Sequence, residues 1–185
     1  MPSLDLQLAH DAKTKRLTAL CLCLLLVGAA AVSAGVLPNN QWELFAVAYP
    51  PDRDVSVTLG GAEKTLTARG LCKVKWQKEA AAMEIAIENL PPAPEVGWPG
   101  RQYVLWAIDE EKRMINLGPV PVSGREAKWK LRVPVRVFGL LVTAEKDPKA
   151  AAPSTAVVLE SLLPIDRYLV VPVKRISVDL TPTQG

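Results

Sequence analysis

The sequence predicts an all-β domain, an antiparallel β-sandwich of the immunoglobulin-like kind, preceded by one N-terminal transmembrane helix. Three observations carry this expectation. The run Leu17–Leu37 is apolar and holds no charged residue. Beyond Pro38, short segments alternate apolar and polar residues, the pattern of strands with one face in a core and one in water. Sixteen prolines, together with the glycine pair Gly60-Gly61 and mixed clusters such as Pro91-Pro92-Ala93-Pro94 and Trp98-Pro99-Gly100, punctuate these segments. They suit turns and sheet edges and oppose long helices.

The expected organisation is a short cytoplasmic tail (residues 1–16), a membrane span (17–37) and an extracytoplasmic domain (38–185). As a helix, Leu17–Leu37 reaches about 30 Å, the thickness of a bilayer's hydrocarbon core. Lys13, Lys15 and Arg16 precede it, and the first basic residue after it is Arg53. That asymmetry predicts a cytoplasmic N-terminus and a C-terminal domain on the outer side of the cell membrane. Val32-Ser33-Ala34 before Gly35 would pass as a signal-peptidase site, but the run is long for a signal's apolar region.

Candidate strands in the domain are Trp42–Tyr49, Asp54–Leu59, Lys64–Ala68, Leu71–Trp76, Met83–Glu88, Tyr103–Asp109, Ile115–Val120, Ala127–Val133, Val135–Glu145, Thr155–Leu159, Arg167–Val171 and Val173–Leu180. Val55-Ser56-Val57-Thr58-Leu59 and Lys128-Trp129-Lys130-Leu131-Arg132-Val133 alternate most cleanly. Ala80–Ile87 could form a short helix, but Met83, Ile85 and Ile87 alternate with Glu84, Ala86 and Glu88, which favours a strand. Gly60-Gly61 is expected to form a hairpin turn, and Lys146–Pro153 a loop. Frequent short strands with turn signals between them favour a sandwich.

Net charge is +3. Setting aside Lys13, Lys15, Arg16, Asp5 and Asp11 leaves an excess of two positive charges in the domain. So small an excess argues against a nucleic-acid partner, because phosphate binding needs concentrated positive charge. The one histidine, His10, lies in the tail. The domain therefore lacks the imidazole of Ser-His-Asp and Cys-His catalysis and of His-based metal sites. Cys21 and Cys23 fall in the apolar run and Cys72 stands alone, a pattern without CxxC chemistry that reads as a buried core thiol. No enzyme, metal site or cofactor is expected. Asp109-Glu110-Glu111 could meet a cation but reads better as a solvated turn.

Partner-contact candidates come from charge and aromatics. Lys128, Lys130, Arg132 and then Arg136 form a basic stripe that could face anionic headgroups or an acidic partner, or guard a sheet edge. Trp98, in the Pro-rich loop, is the candidate exposed contact residue. Trp42, soon after the span, suits the outer headgroup region.

Asn89-Leu90-Pro91-Pro92, followed by Gly100-Arg101-Gln102-Tyr103-Val104-Leu105-Trp106-Ala107-Ile108-Asp109, resembles the extracytoplasmic C-terminal domain of anti-sigma-K factors. Asn116-Leu117-Gly118, Val142-Thr143-Ala144-Glu145 and the stretch from Pro148 through Pro153 to Val157-Val158-Leu159 continue the likeness. It covers about half of the domain and implies a β-sandwich outside the membrane. Members of that family carry a cytoplasmic zinc-binding module before the span; here sixteen residues precede it, with His10 and no Cys.

The expected function is an accessory or scaffold subunit of a larger membrane complex, respiratory or photosynthetic. It is held in the lipid bilayer by residues 17–37 and acts through contacts with other subunits. The alternatives are an anti-sigma-like signalling protein whose cytoplasmic module a partner supplies, and an extracytoplasmic ligand- or carbohydrate-binding module.

Overall fold

Alternation in the sequence becomes a sheet whose two sides differ sharply. In the computed structural model, residues 40–163 and 171–183 are described. The chain divides between Leu37 and Pro38, and the fold below is that of the second unit. The expected span 17–37, the tail before it and most of the expected strand Arg167–Val171 lie outside the described residues.

The described residues form ten strands: β1 (Gln41–Ala48), β2 (Asp54–Gly61), β3 (Arg69–Gln77), β4 (Ala80–Glu88), β5 (Gln102–Asp109), β6 (Met114–Pro119), β7 (Ala127–Val133), β8 (Val137–Glu145), β9 (Val157–Ser161) and β10 (Val173–Asp179). All ten join one antiparallel sheet that curls toward a nearly closed barrel. The all-β antiparallel class expected from the sequence is what forms. The path runs β10-β1-β8-β9-β2-β3-β4-β7, with β5 on the other side of β8 and β6 beyond β5. Strand β8 is the branch point. Phe138 and Val137 pair with Val47 and Ala48 of β1, while Leu141–Thr143 pair with β9 on the same edge.

Two apolar clusters stabilise the fold. The main core gathers Val55, Val57, Cys72, Val74, Met83, Ile85 and Ile87 from β2–β4 against Leu105, Ala107, Leu140 and Val142 from β5 and β8. The opposite face of β5 and β8 supplies Val104, Trp106, Ile108 and Leu141 to a second cluster, covered by Leu44 and Ala46 of β1 and Ile176 and Val178 of β10. Strands β5 and β8 are thus buried on both faces, which is why Tyr103–Ile108 and Phe138–Val142 are continuous apolar runs.

Three local expectations are corrected. Lys64–Ala68 is not a strand: Glu63–Thr65 is a 3-10 helix, with Thr65 Oγ1 donating to the Val158 carbonyl. The Pro-rich loop also winds into a 3-10 helix over Ala93–Val96. Gly60-Gly61 is not a hairpin turn but the end of β2, paired to β9 through Glu160 and Leu159. Glycine is required there because a Cβ on Gly61 would sit 1.9 Å from the Thr65 carbonyl oxygen. The β3–β4 connection is the true tight hairpin: Gln77 pairs with Ala80, and Lys78 and Glu79 have φ of 52° and 62°.

That hairpin yields a prediction. Two central residues at positive φ define a type I′ turn, which Asn-Gly fits at least cost. Replacing Lys78-Glu79 with Asn-Gly is expected to stabilise the protein by about 1 kcal/mol. A rise of a few degrees in melting temperature would register it.

Candidate functional site

The solvent face of β2, β3, β4 and β7 is built by register. Lys75 pairs across to Ala82 and then Arg132; Lys73 to Glu84 and then Lys130; Leu71 to Ala86 and then Lys128. The small side chains of Ala82 and Ala86 therefore form a floor. Cations rise on both sides, Lys73 and Lys75 on β3 and Lys128, Lys130 and Arg132 on β7. Strand spacing places the two rows about 10 Å apart, with about 6.6 Å between successive cations in a row. The part of this trough lined by Asp54, Lys73, Lys75, Ala82, Glu84, Lys130 and Arg132 has a volume of about 540 Å³.

Glu84 is the acid at its centre. Its carboxylate meets Lys130 Nζ at 3.6 Å and Lys128 Nζ at 4.0 Å. One carboxylate thus serves two ammonium groups that are each about three-quarters exposed, so the pairs contribute little to stability and leave positive charge uncompensated. Arg132 donates through Nη2 to the Gln77 carbonyl at 3.2 Å. Arg136 does not continue the stripe. It lies beyond the end of β7, and its Nε donates to the Tyr49 carbonyl at 3.1 Å.

Of the two aromatic contact candidates, Trp98 is placed differently. Trp98 is not exposed: it is 8% accessible and packs into the main core, with Lys64 Nζ 5.2 Å from its ring centroid. The Pro-rich turn folds inward because an indole buries a large apolar area. Trp42 is half-buried against the second cluster, and its Nε1 donates to Glu160 Oε2 at 2.6 Å. Burial raises the pKa of the Glu160 carboxyl, and the indole bond lowers it by less. A carboxyl with a raised folded pKa holds its proton more tightly when folded. Its stabilising effect is full below the unfolded pKa and is lost as pH rises through the folded one. Glu160→Gln is expected to retain an acceptor for Trp42 and abolish that loss. The variant should melt with the wild type below about pH 4 and above it at neutral pH, measured by thermal unfolding across pH.

The sequence also hid several buried polar groups. Asp109 is the inner end of the acidic triplet, 1% accessible. Its Oδ1 accepts from the backbone N–H of Glu111 and Arg113, both at 2.9 Å, and Oδ2 accepts from Arg113 Nε at 2.5 Å. The triplet is therefore split. Asp109 closes the β5–β6 turn from inside, while Glu110 and Glu111 lie outside and pair with Lys174 and Arg113. Glu145 is buried too, its Oε1 accepting from Thr143 Oγ1 at 2.5 Å and from Ser154 N at 2.7 Å. Thr143 Oγ1 in turn accepts from Trp106 Nε1 at 2.8 Å. The bonds from Trp106 to Thr143 and from Ser154 to Glu145 tie separate chain segments together.

Cys72 is a free, fully buried thiol whose pKa burial raises to about 12. It is held as an unreactive hydrophobe. Among the described residues, no group of three or more His, Cys, Asp or Glu side chains could hold a metal ion.

Lys73 and Lys75 were missing from the sequence's candidate set, although Lys73-Val74-Lys75-Trp76 repeats the rhythm of Lys128-Trp129-Lys130-Leu131. Two basic period-2 segments were the available signal; which strands lie beside each other was not. The chain matches no family model, no curated protein and no solved structure.

Proposed function

We propose that this protein is a single-pass membrane subunit whose β domain makes protein contacts on the extracytoplasmic side, as an accessory or scaffold component of a larger complex. The observation that carries this reading is the uncharged run Leu17–Leu37, with three basic residues just before it and no basic residue after it until Arg53. Behind it stands a domain that concentrates positive charge on one sheet face with an open strand edge. The finer fold reading is an immunoglobulin-like sandwich, supported by the two layers that face each other across the main core. The likeness of Asn89–Asp109 to the outer domain of anti-sigma-K factors supports the same placement outside the membrane. Fold likeness does not carry the regulatory role.

Alkaline extraction and protease access test the reading together. The full chain is expected to resist alkaline extraction from membranes. In spheroplasts, external protease is expected to cut the β domain while leaving the tail before Leu17 intact. Release by alkali, or protection of the domain, would overturn it.

A further inference from the structure

Strand β7 is bonded to β4 alone and β6 to β5 alone, so among the described residues each has an open edge. Inward residues of the inner strands, such as Cys72 and Ile85, are fully buried. Trp129 and Leu131 on β7, and Ile115 and Leu117 on β6, are only half-buried where they border the main core. The outward residues of β7 are Lys128, Lys130 and Arg132, all exposed. Charge is concentrated here. The outward face of β2, β3, β4 and β7 carries Arg69, Lys73, Lys75, Lys128, Lys130 and Arg132 against Asp54, Glu84 and Glu88. That excess is larger than the excess of the whole domain, so the remainder of residues 38–185 is slightly acidic.

We propose that the open edge of β7 binds an extended segment of a partner protein in which acidic and apolar residues alternate. Added beside β7, such a strand sets its acids opposite Lys128, Lys130 and Arg132 on the outer face. Its apolar residues fall beside Trp129 and Leu131 on the inner face. Its backbone satisfies the unpaired N–H and C=O groups of the edge, while alternate side chains supply specificity. A second copy of β7 is disfavoured at the same edge, because lysine would then face lysine. The stripe that guards the edge against self-association is thus also the feature that selects an acidic strand.

This inference rests on the protein-contact reading and names the chemistry of the partner. The full chain in nanodiscs of zwitterionic lipid is titrated with a labelled peptide of alternating glutamate and valine. A control peptide of the same composition holds its glutamates and valines in separate blocks. The alternating peptide is expected to bind at least about tenfold more tightly than the control, and more weakly as salt is added. Backbone amides within Ala127–Val133 are expected to gain protection from hydrogen exchange on binding. Lys128→Glu with Lys130→Glu and Arg132→Glu should abolish binding; if that variant does not fold, the three glutamine substitutions are used. No peptide binding, equal binding of the two peptides, unchanged binding by the variant, or binding without protection in β7 each overturns the proposal. So does binding to phosphatidylglycerol vesicles through the same residues with no response to the peptide. A native partner retained equally by wild type and the charge-reversed variant would leave the protein-contact reading standing and remove this one.

Discussion

Trp106→Ala is expected to destabilise the protein by about 4 kcal/mol, a large share of the 5–15 kcal/mol typical of a domain. Trp106 is fully buried in the second cluster, the layer between β5–β8 and the β1–β10 pair. Truncation opens a cavity that a two-sided layer cannot collapse into, and the Thr143 hydroxyl loses the indole N–H. Trp106→Phe separates the two contributions, because it keeps most of the packing and removes the donor; about 1–2 kcal/mol is expected for it. Denaturant titration of both variants measures the difference. Equal midpoints for Trp106→Ala and wild type would mean that the second cluster does not form.

Gly61→Ala is expected to cost about 3 kcal/mol, although it adds one methyl group. The added Cβ would meet the backbone of Thr65, with the carbonyl oxygen at 1.9 Å and its carbon at 2.7 Å. The 3-10 helix Glu63–Thr65 must then move, breaking the Thr65 bond to Val158 that ties it to β9. Gly60→Ala is the matched control. Its nearest neighbours are the Leu162 side-chain tips at 3.0–3.2 Å, and Leu162 is 40% exposed and free to swing aside. Under about 1 kcal/mol is expected there. A hairpin turn at this dipeptide would make the two substitutions comparable, so the contrast reads the local structure directly.

These two sites also mark where sequence reasoning succeeds and fails. Period-2 alternation located most strands, because it reports burial on one face, which a strand imposes residue by residue. Lys128–Val133 and Val55–Leu59 were legible for that reason. Strands β5 and β8 were visible as strands, but their burial on both sides was not, since it depends on β1 and β10 returning over the outer face. Gly60-Gly61 looked like a turn because glycine's common use is conformational freedom; here its use is close approach to a carbonyl 4 residues on. Trp98 looked exposed because prolines surround it, yet the short helix Ala93–Val96 turns it into the core.

The candidate site was half legible. Lys128, Lys130 and Arg132 could be read from one strand. Lys73 and Lys75 join them only because β4 pairs with both β3 and β7, and pairing between distant segments leaves no local trace. Arg136 followed the stripe in sequence but left it in space, since Pro134 ends the strand. Asp109 and Glu145 were hidden for a similar reason. A carboxylate is buried only where donors converge on it, and the donors of Glu145 include Ser154, nine residues away.

The most direct test of the protein as a membrane-complex subunit is its size after gentle extraction. The full chain is solubilised from native membranes in a mild detergent and sized under native conditions. It is expected to require detergent and to migrate in an assembly with other membrane proteins at fixed stoichiometry. A soluble protein, or a detergent-bound monomer that carries no partner, would contradict the account.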